Sequence, residues 1–170
     1  MEIWPVEGPW PGRLAVCSRP RAGWFLDDDI RALRRAGFHL LISALTPEEA
    51  VKAELERVAD ACAKAGLDFE NVPIGNLQVI PAGRLRPHLE TWNARLADGE
   101  GIAAHCWASV GRSPSLAAAL LVSAGVDAAE AWARIEVARG RQVPDTIEQR
   151  LWAAEFAGLA AARRTVNRES

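Results

Sequence analysis

The stretch GIAAHCWASVGRSPSLAAALL, residues 101–121, places a cysteine between an apolar run and an apolar helix. The run at 101–105 is typical of a buried strand, and residues 113–124 are typical of a helix. Cys106 ends the strand, and the residues up to Gly111 must form a tight loop before the helix begins. The first N–H groups of a helix have no partner within the helix, so such a loop can hold an anion. The sequence therefore predicts an anion-binding loop with a thiol at its rim.

Two further side chains at the end of this loop complement the thiol. The thiolate is the nucleophilic form of cysteine, and the field of a helix N-terminus stabilises it. The guanidinium of Arg112 can hold two oxygens of a phosphoryl group, and Ser113 places a hydroxyl near the sulfur of Cys106. We expect these three residues to be catalytic, and we expect the phosphate to be bound by Trp107, Ala108, Ser109, Val110, Gly111 and Arg112. The alternative, a plain core thiol, would leave a buried Arg112 without an anion, which is costly.

Strands and helices alternate along most of the chain. Apolar runs predict strands at 14–17, 38–45, 67–74 and 101–105. Helices are predicted at 27–37, 46–66, 85–99 and 113–124, from residue 127, and after the segment VPDTIEQ at 143–149. This order predicts an α/β fold, with a central, mostly parallel sheet flanked by helices and a helical C-terminal half.

Capping patterns mark the start of two of these helices. Thr46 and Glu49 form the pattern of a capping box, and Asp127 and Glu130 form another. The first of these helices is expected to run unbroken to residue 66. The inner faces of the two helices are expected to carry Val51, Leu55, Val58, Cys62 and Ala65 in the first, and Trp132 and Ile135 in the second.

The composition fits an ordinary globular domain. The 170 residues are 49% hydrophobic with a net charge of −2, and the basic residues are scattered, so we expect neither nucleic acid nor a membrane as a partner. The longest apolar run, at 115–126, is too short for a bilayer, which needs about 20 residues. We expect one domain over 1–170, with a core at about 12–160 and a frayed tail at 163–170. Three cysteines without paired spacing, and a start without a signal-peptide pattern, favour free thiols in the cytoplasm.

The segment around Cys106 resembles the signature of the cysteine-dependent protein tyrosine phosphatases. That signature is Cys-x5-Arg followed by Ser or Thr and usually preceded by His, and here it stands as His105, Cys106, Arg112 and Ser113. The small size and the late position of the loop resemble the compact dual-specificity branch over about 12–160. The resemblance implies a phosphocysteine intermediate on Cys106 that water hydrolyses, a supporting role for His105, and no metal or other cofactor. It also implies a phosphorylated protein or another phosphomonoester as substrate, and phosphate or vanadate as ligands of the site.

The resemblance breaks at the general acid. Compact dual-specificity phosphatases resemble one another in a Pro-Ile-x-Asp segment, whereas the segment VPIGN places Asn76 where that Asp stands. An amide cannot donate a catalytic proton, so the candidates that remain are Asp68, Glu70 and Asp145. In VPDTIEQ, Gln149 resembles the glutamine that places the hydrolytic water, although the same segment also fits an ordinary capping box.

These features favour a phosphomonoester hydrolase, most directly a protein tyrosine or dual-specificity phosphatase. Residues 107–111 contain no Lys or Arg, which disfavours a polyphosphorylated lipid such as a phosphoinositide as the substrate. The hypothesis from another class is a catalytically weak phosphate-binding module that keeps Cys106 and Arg112 but has lost the acid, as Asn76 suggests. Trp107 is expected to pack or to form the wall of the pocket.

Overall fold

In the computed structural model, which describes residues 1–160, one sheet of five strands lies between two layers of helices. The strands are β1 (Ile3–Val6), β2 (Arg13–Cys17), β3 (Leu40–Ser43), β4 (Asp68–Asn71) and β5 (Gly101–His105). The helices are α1 (Leu26–Arg35), α2 (Pro47–Lys52), α3 (Val58–Ala65), α4 (Ala82–Ala97), α5 (Arg112–Ser123), α6 (Ala128–Arg139) and α7 (Ile147–Ala154). None of these helices combines the length and the apolar composition needed to cross a bilayer. The predicted tail at 163–170 lies outside the described residues.

The predicted strands form the parallel part of the sheet, in the order β2-β5-β3-β4. The sequence did not predict β1, an edge strand antiparallel to β2, because its IWPV segment contains a proline and buries only its last residue. Val16 of β2 and Ile42 of β3 both lie opposite Ala104 of β5. The carboxyl ends of these three strands are therefore level, and the loops that follow them meet at one edge of the sheet.

Each face of the sheet packs against its own helices. One face buries Leu14, Val16, Leu40, Ile42, Ile102 and Ala104 against α4, α5, α6 and α7. The other buries Ala15, Cys17, Leu41 and Ala103 against α1 and α3. Helix α5 is buried along its whole length, so the end of β5 and the start of α5 are held in fixed positions. Trp132 and Ile135 lie in the core, as predicted.

The prediction of a single helix at 46–66 is wrong. The chain forms α2 and α3 instead, because Glu54 adopts a left-handed φ of 55° between them. The break leaves Val51 59% exposed. The later positions of the predicted stripe, Leu55, Val58 and Cys62, are buried. The predicted capping box of Thr46 and Glu49 is present at the start of α2. The predicted start of the helix is therefore correct, but the prediction that it continues unbroken to residue 66 is not.

The predicted capping box at the start of α6 is also wrong. Asp127 caps the helix by accepting a hydrogen bond from the Ala129 N–H at 3.1 Å. The carboxylate of Glu130 pairs instead with Arg134 one turn later, at 2.8 Å. The position of the helix start is therefore correct, but Glu130 takes part in an i,i+4 ion pair rather than in the cap.

The cysteines Cys17, Cys62 and Cys106 are buried free thiols within the described chain. Burial raises the pKa of Cys62 to about 12. Burial, together with the nearby Cys106, also raises the pKa of Cys17. Both thiols are therefore protonated at neutral pH.

Candidate active site

The loop from Cys106 to Gly111 joins β5 to α5, and hydrogen bonds to β2 and to α6 hold it in place. Ser109 has a left-handed φ of 57°, a conformation that costs about 1–2 kcal/mol for a residue with a side chain. Its hydroxyl donates to the Cys17 carbonyl at 2.6 Å, and its own carbonyl accepts from Arg139 Nε at 2.8 Å. These bonds to β2 and α6 hold the loop in its strained shape.

The thiol of Cys106 lies at the floor of this loop, with only 2% of the residue exposed. The hydroxyl of Ser113, in the first turn of α5, donates to the Cys106 sulfur at 3.3 Å. The structure thus brings together the predicted nucleophile and the hydroxyl predicted to assist it.

The guanidinium of Arg112 is held by a partner that the sequence did not reveal. Arg112 Nη1 donates to Glu49 Oε2 at 2.6 Å and to the Ile74 carbonyl at 2.8 Å, and Nη2 donates to Glu49 Oε1 at 2.9 Å. Burial works against the charge of Arg112, but the hydrogen bonds to Glu49 and the nearby Cys106 raise its pKa above the usual value. The same bonds from Arg112 lower the pKa of Glu49. The two side chains therefore stay oppositely charged.

The sequence did not predict the ion pair of Glu49 with Arg112, because the capping box at the start of α2 already accounts for Glu49. Its Oε2 accepts from the Thr46 N–H at 3.0 Å, as the capping box requires. A carboxylate has two oxygens with about four acceptor positions, so one Glu can cap a helix and bind an Arg at once. The break at Glu54 gives α2 its own direction, separate from that of α3, and α2 carries Glu49 to the loop.

His105 stabilises the start of the loop through a hydrogen bond to its backbone. Its Nδ1 lies 3.2 Å from the Cys106 carbonyl, which can only accept, so Nδ1 carries the proton. Burial lowers the pKa of His105 from 6.5 to about 4, and the charges of Arg19 and Arg112 act in the same direction. His105 is therefore neutral at physiological pH and serves as a donor to the backbone.

A cavity of about 220 Å³ opens above the loop. It is lined by Glu49, Lys52, Asn76, Trp107 and Arg112. Asn76 thus lies at the cavity, where its side chain is an amide that has no acidic proton. Trp107 forms a wall, and its indole has Arg19 at 4.0 Å and Lys52 at 5.9 Å from the ring centroid.

Two of the candidate acids lie away from the loop. Asp68 begins β4 and is in register with Leu40 at the start of β3, about four residues or roughly 13 Å along the sheet from Cys106. Its carboxylate pairs with Arg95 at 2.7 Å. Glu70 accepts from Trp92 Nε1 at 2.9 Å on α4. Both carboxylates bind side chains of α4, so neither fits the role of the acid.

Asp145 and Gln149 lie directly against the loop. A Cβ atom on Gly111 would stand 2.3 Å from Asp145 Oδ2 and 2.9 Å from Gln149 Nε2, so only glycine permits this close approach. Gln149 is buried, and its Oε1 accepts from the N–H groups of Asp145 at 3.1 Å and Thr146 at 3.2 Å. The capping box of Thr146 and Gln149 is present as well, so the segment both starts α7 and presents a carboxylate to the loop.

Within residues 1–160, no cluster of three or more His, Cys, Asp or Glu side chains is arranged to hold a metal ion. The cavity instead has the Arg112 guanidinium in its lining, and the Cys106 thiol and the Ser113 hydroxyl lie at the two ends of the adjoining loop. This set is suited to binding a tetrahedral oxyanion next to a sulfur nucleophile.

Comparison with solved structures identifies the fold. No protein-family model and no curated protein matches the amino-acid sequence. Among solved structures, kinase associated phosphatase with its catalytic-site cysteine substituted by serine is similar at a TM-score of 0.84 and 20% identity, over 95% of this chain and 97% of that one. A putative protein tyrosine phosphatase from Leishmania major has a TM-score of 0.74 at 22% identity, over 92% and 99%. PTPMT1 in complex with PI(5)P has a TM-score of 0.73 at 18% identity, over 95% and 99%. The chain has the fold of these protein tyrosine phosphatase structures, which confirms the predicted fold class.

Proposed function

We propose that this chain hydrolyses phosphomonoesters through a phosphocysteine formed on Cys106, as a protein tyrosine or dual-specificity phosphatase. The observation that carries the proposal is the position of the Cys106 sulfur at the start of the loop, bonded by Ser113 and next to an Arg112 held in place by Glu49. The similar solved structures are themselves phosphatases, including one whose catalytic-site residue is a cysteine.

Two N–H donors on one edge of the Arg112 guanidinium remain free to bind the substrate. A guanidinium has five N–H donors, and three of them, on Nη1 and Nη2, are used by Glu49 and the Ile74 carbonyl. The remaining pair, on Nε and Nη2, forms a parallel fork that matches two phosphoryl oxygens. The third nonbridging oxygen then faces the backbone N–H groups of residues 107–111.

The reaction takes two displacements at phosphorus. In the first, the Cys106 thiolate forms an S–P bond while the P–O bond to the leaving group breaks, and the leaving oxygen takes up a proton. In the second, a water oxygen attacks the phosphorus, loses its proton, and the S–P bond breaks to release inorganic phosphate. The Ser113 hydroxyl, as a donor to sulfur, stabilises the thiolate that departs in the second step.

Asp145 is the carboxylate we propose for the proton transfers. Asn76 has no proton to give, and Glu49 is kept ionised by Arg112. Asp145 is the one candidate from the sequence that lies against the loop, at Gly111. The buried Gln149 accepts from the Asp145 N–H through Oε1, and one N–H of its Nε2 faces the Gln78 carbonyl at 3.5 Å, so the other N–H is the one we assign to the hydrolytic water.

A second candidate function rests on Asn76. If Asp145 cannot replace the usual acid, the chain is a phosphate-binding module with little turnover. PTPMT1 in complex with PI(5)P shares the fold, but the absence of Lys and Arg from residues 107–111 favours phosphoproteins over phosphoinositides. We further propose a cytoplasmic location, where Cys106 stays reduced, and vanadate as an inhibitor that occupies the phosphate position.

The test is turnover by wild type and Cys106→Ser on an aryl phosphate and a phosphotyrosine peptide. We expect Cys106→Ser to lose at least about 10³-fold in kcat, since no thiolate is left to attack, yet to keep a rise in melting temperature with phosphate because the loop and Arg112 remain. Cys62→Ser is the matched control, and it should retain turnover because Cys62 lies in the core against α1. Turnover by Cys106→Ser above a few per cent of wild type would contradict the covalent mechanism. Phosphate binding without turnover in the wild type would favour the binding module.

A further inference from the structure

The wall of the cavity formed by Trp107 carries two cations from other parts of the chain. The guanidinium carbon of Arg19, which follows β2, lies 4.0 Å from the indole centroid, and Lys52 Nζ at the end of α2 lies 5.9 Å from it. Lys52 also lines the cavity that contains Arg112. The loop itself has no Lys or Arg beyond Arg112, so these two side chains supply positive charge to the mouth of the site.

Neither cation has an anionic partner within the part of the chain that the structure describes. The ion pairs there engage other cations, such as Arg21 with Asp29 and Arg112 with Glu49. Arg19 Nη1 is moreover buried without a hydrogen-bond acceptor among residues 1–160. An unsatisfied buried donor costs about 1–3 kcal/mol. The protein's own contacts therefore leave Arg19 incompletely satisfied at the edge of the site.

The acidic groups nearby do not neutralise this charge. Glu49 is the acidic side chain of the cavity lining, and its carboxylate is engaged by Arg112. Glu48 lies one helical turn before Lys52 but is exposed, and within residues 1–160 it makes no ion pair under 4 Å. Two positive charges beside an aromatic wall thus remain available to a ligand.

We propose that Arg19, Lys52 and Trp107 form a second anion subsite, which selects phosphotyrosine peptides that have an acidic residue next to the phosphotyrosine. This proposal rests on the proposed phosphatase function. The phosphoryl group binds in the loop, and the neighbouring carboxylate reaches the Nε and Nη2 donors of Arg19, which are not buried as Nη1 is, and the ammonium of Lys52. Guanidinium groups pair well with carboxylates, because their parallel N–H bonds match the two oxygens.

The charge distribution favours a peptide over a lipid surface. Anionic membranes attract proteins through several basic residues, at about 1 kcal/mol for each Lys or Arg near the surface. This chain has a net charge of −2, and Arg19 and Lys52 both lie beside one indole, that of Trp107. Two neighbouring cations can pair with one additional carboxylate. An acidic residue next to the phosphotyrosine of a peptide supplies such a carboxylate.

The test compares kcat/KM for two phosphotyrosine peptides that differ only in Glu or Gln beside the phosphotyrosine, each normalised to the same enzyme's rate on an aryl phosphate. The wild type should prefer the Glu peptide by about fivefold at low salt, the size expected for partly exposed charge pairs. The preference should shrink in 0.5 M salt, which reduces the Debye length to about 4 Å. Arg19→Gln should lose most of it, and Lys52→Glu should lose or reverse it. Lys64→Glu, which makes the same charge change on exposed α3 surface, is the matched control and should keep it.

The outcomes separate this inference from the function on which it rests. No turnover of any phosphomonoester would overturn the phosphatase proposal itself. Turnover with equal kcat/KM for the two peptides, or a Glu preference that survives both Arg19→Gln and Lys52→Glu, would overturn the subsite. A short-chain phosphoinositide that is hydrolysed faster than the Glu peptide, with a loss in Lys52→Glu, would show that the cations serve a lipid headgroup and would overturn the peptide assignment.

Discussion

The nucleophile side of the cavity comes from one continuous segment, 105–113, whereas the facing side comes from three segments that are far apart in sequence. The continuous side holds the thiol, the hydroxyl and the guanidinium on the end of β5 and the start of α5. The facing side holds Glu49 in the first turn of α2 and Asn76 after β4, and Asp145, just before α7, lies against Gly111 of the loop. A continuous segment can be recognised from its spacing. Groups assembled by the fold can be assigned only when the contacts between loops are known.

After the loss of Cys106 itself, the largest effect on turnover is expected on the facing side, at the proton donor. If Asp145 protonates the leaving oxygen, Asp145→Asn should lower kcat on alkyl and poorly activated aryl phosphates by about 10²-fold or more, within the range of a general acid. The rate on a strongly activated aryl phosphate should stay within a few fold, because that leaving group departs as an anion. The measurement is the slope of log kcat against leaving-group pKa, which should become steeper in the variant.

Two companion variants make this result specific. Glu148→Gln removes a neighbouring exposed carboxylate and should leave the slope unchanged. Adding Asn76→Asp to Asp145→Asn should restore the rate on poorly activated phosphates, because it places a carboxyl group back in the cavity. An equally shallow slope in Asp145→Asn and wild type would exclude Asp145 as the acid.

The same contrast explains what the sequence could predict. The alternation of strands and helices and the loop from Cys106 to Arg112 follow from local patterns, and the fold agrees with them. The strand β1 was missed because its existence depends on pairing with β2 rather than on its own apolar pattern. The break at Glu54 was missed because α2 has a strong start and the residues after it keep a helical spacing. The first error comes from a tertiary pairing that outweighs local propensity, and the second from a local turn at Glu54, where the Leu55 N–H donates to the Ala50 carbonyl.

The candidate site shows the same limit at single residues. Asp68 and Glu70 precede Asn76 in the chain, but strand register places them lower in the sheet, against α4. Asp145 is distant in sequence from Gly111, yet its carboxylate would contact a Cβ there. Proximity along the chain was therefore a poor guide to the acid, and the missing Cβ of Gly111 was the available signal for a close approach.

An effect on stability rather than on turnover is expected on the nucleophile side at His105. Its pKa is lowered by burial from 6.5 in the unfolded chain to about 4 in the fold, so between these values the unfolded state binds more protons. Stability is therefore full above pH 6.5 and falls as the pH drops towards 4, by about 3 kcal/mol at about 1.4 kcal/mol per pH unit. Chemical unfolding at several pH values should show this loss in wild type and a shallower one in His105→Asn. Equal slopes in the two proteins would mean that His105 is not buried in its neutral form.

The smallest effect is expected at Glu49, which acts on the substrate only through Arg112. Glu49→Gln removes the charge that orients the guanidinium, so kcat should fall by about tenfold, in line with 1.5–3 kcal/mol for a hydrogen bond to a charged group that is only partly lost. KM should not rise, because the same change removes a negative charge beside the phosphate. Glu48→Gln, the exposed neighbour on α2, is the matched control, and Glu49→Asp should recover part of the rate. A purely structural role would instead lower the melting temperature without separating kcat from KM, and that result would limit Glu49 to capping α2.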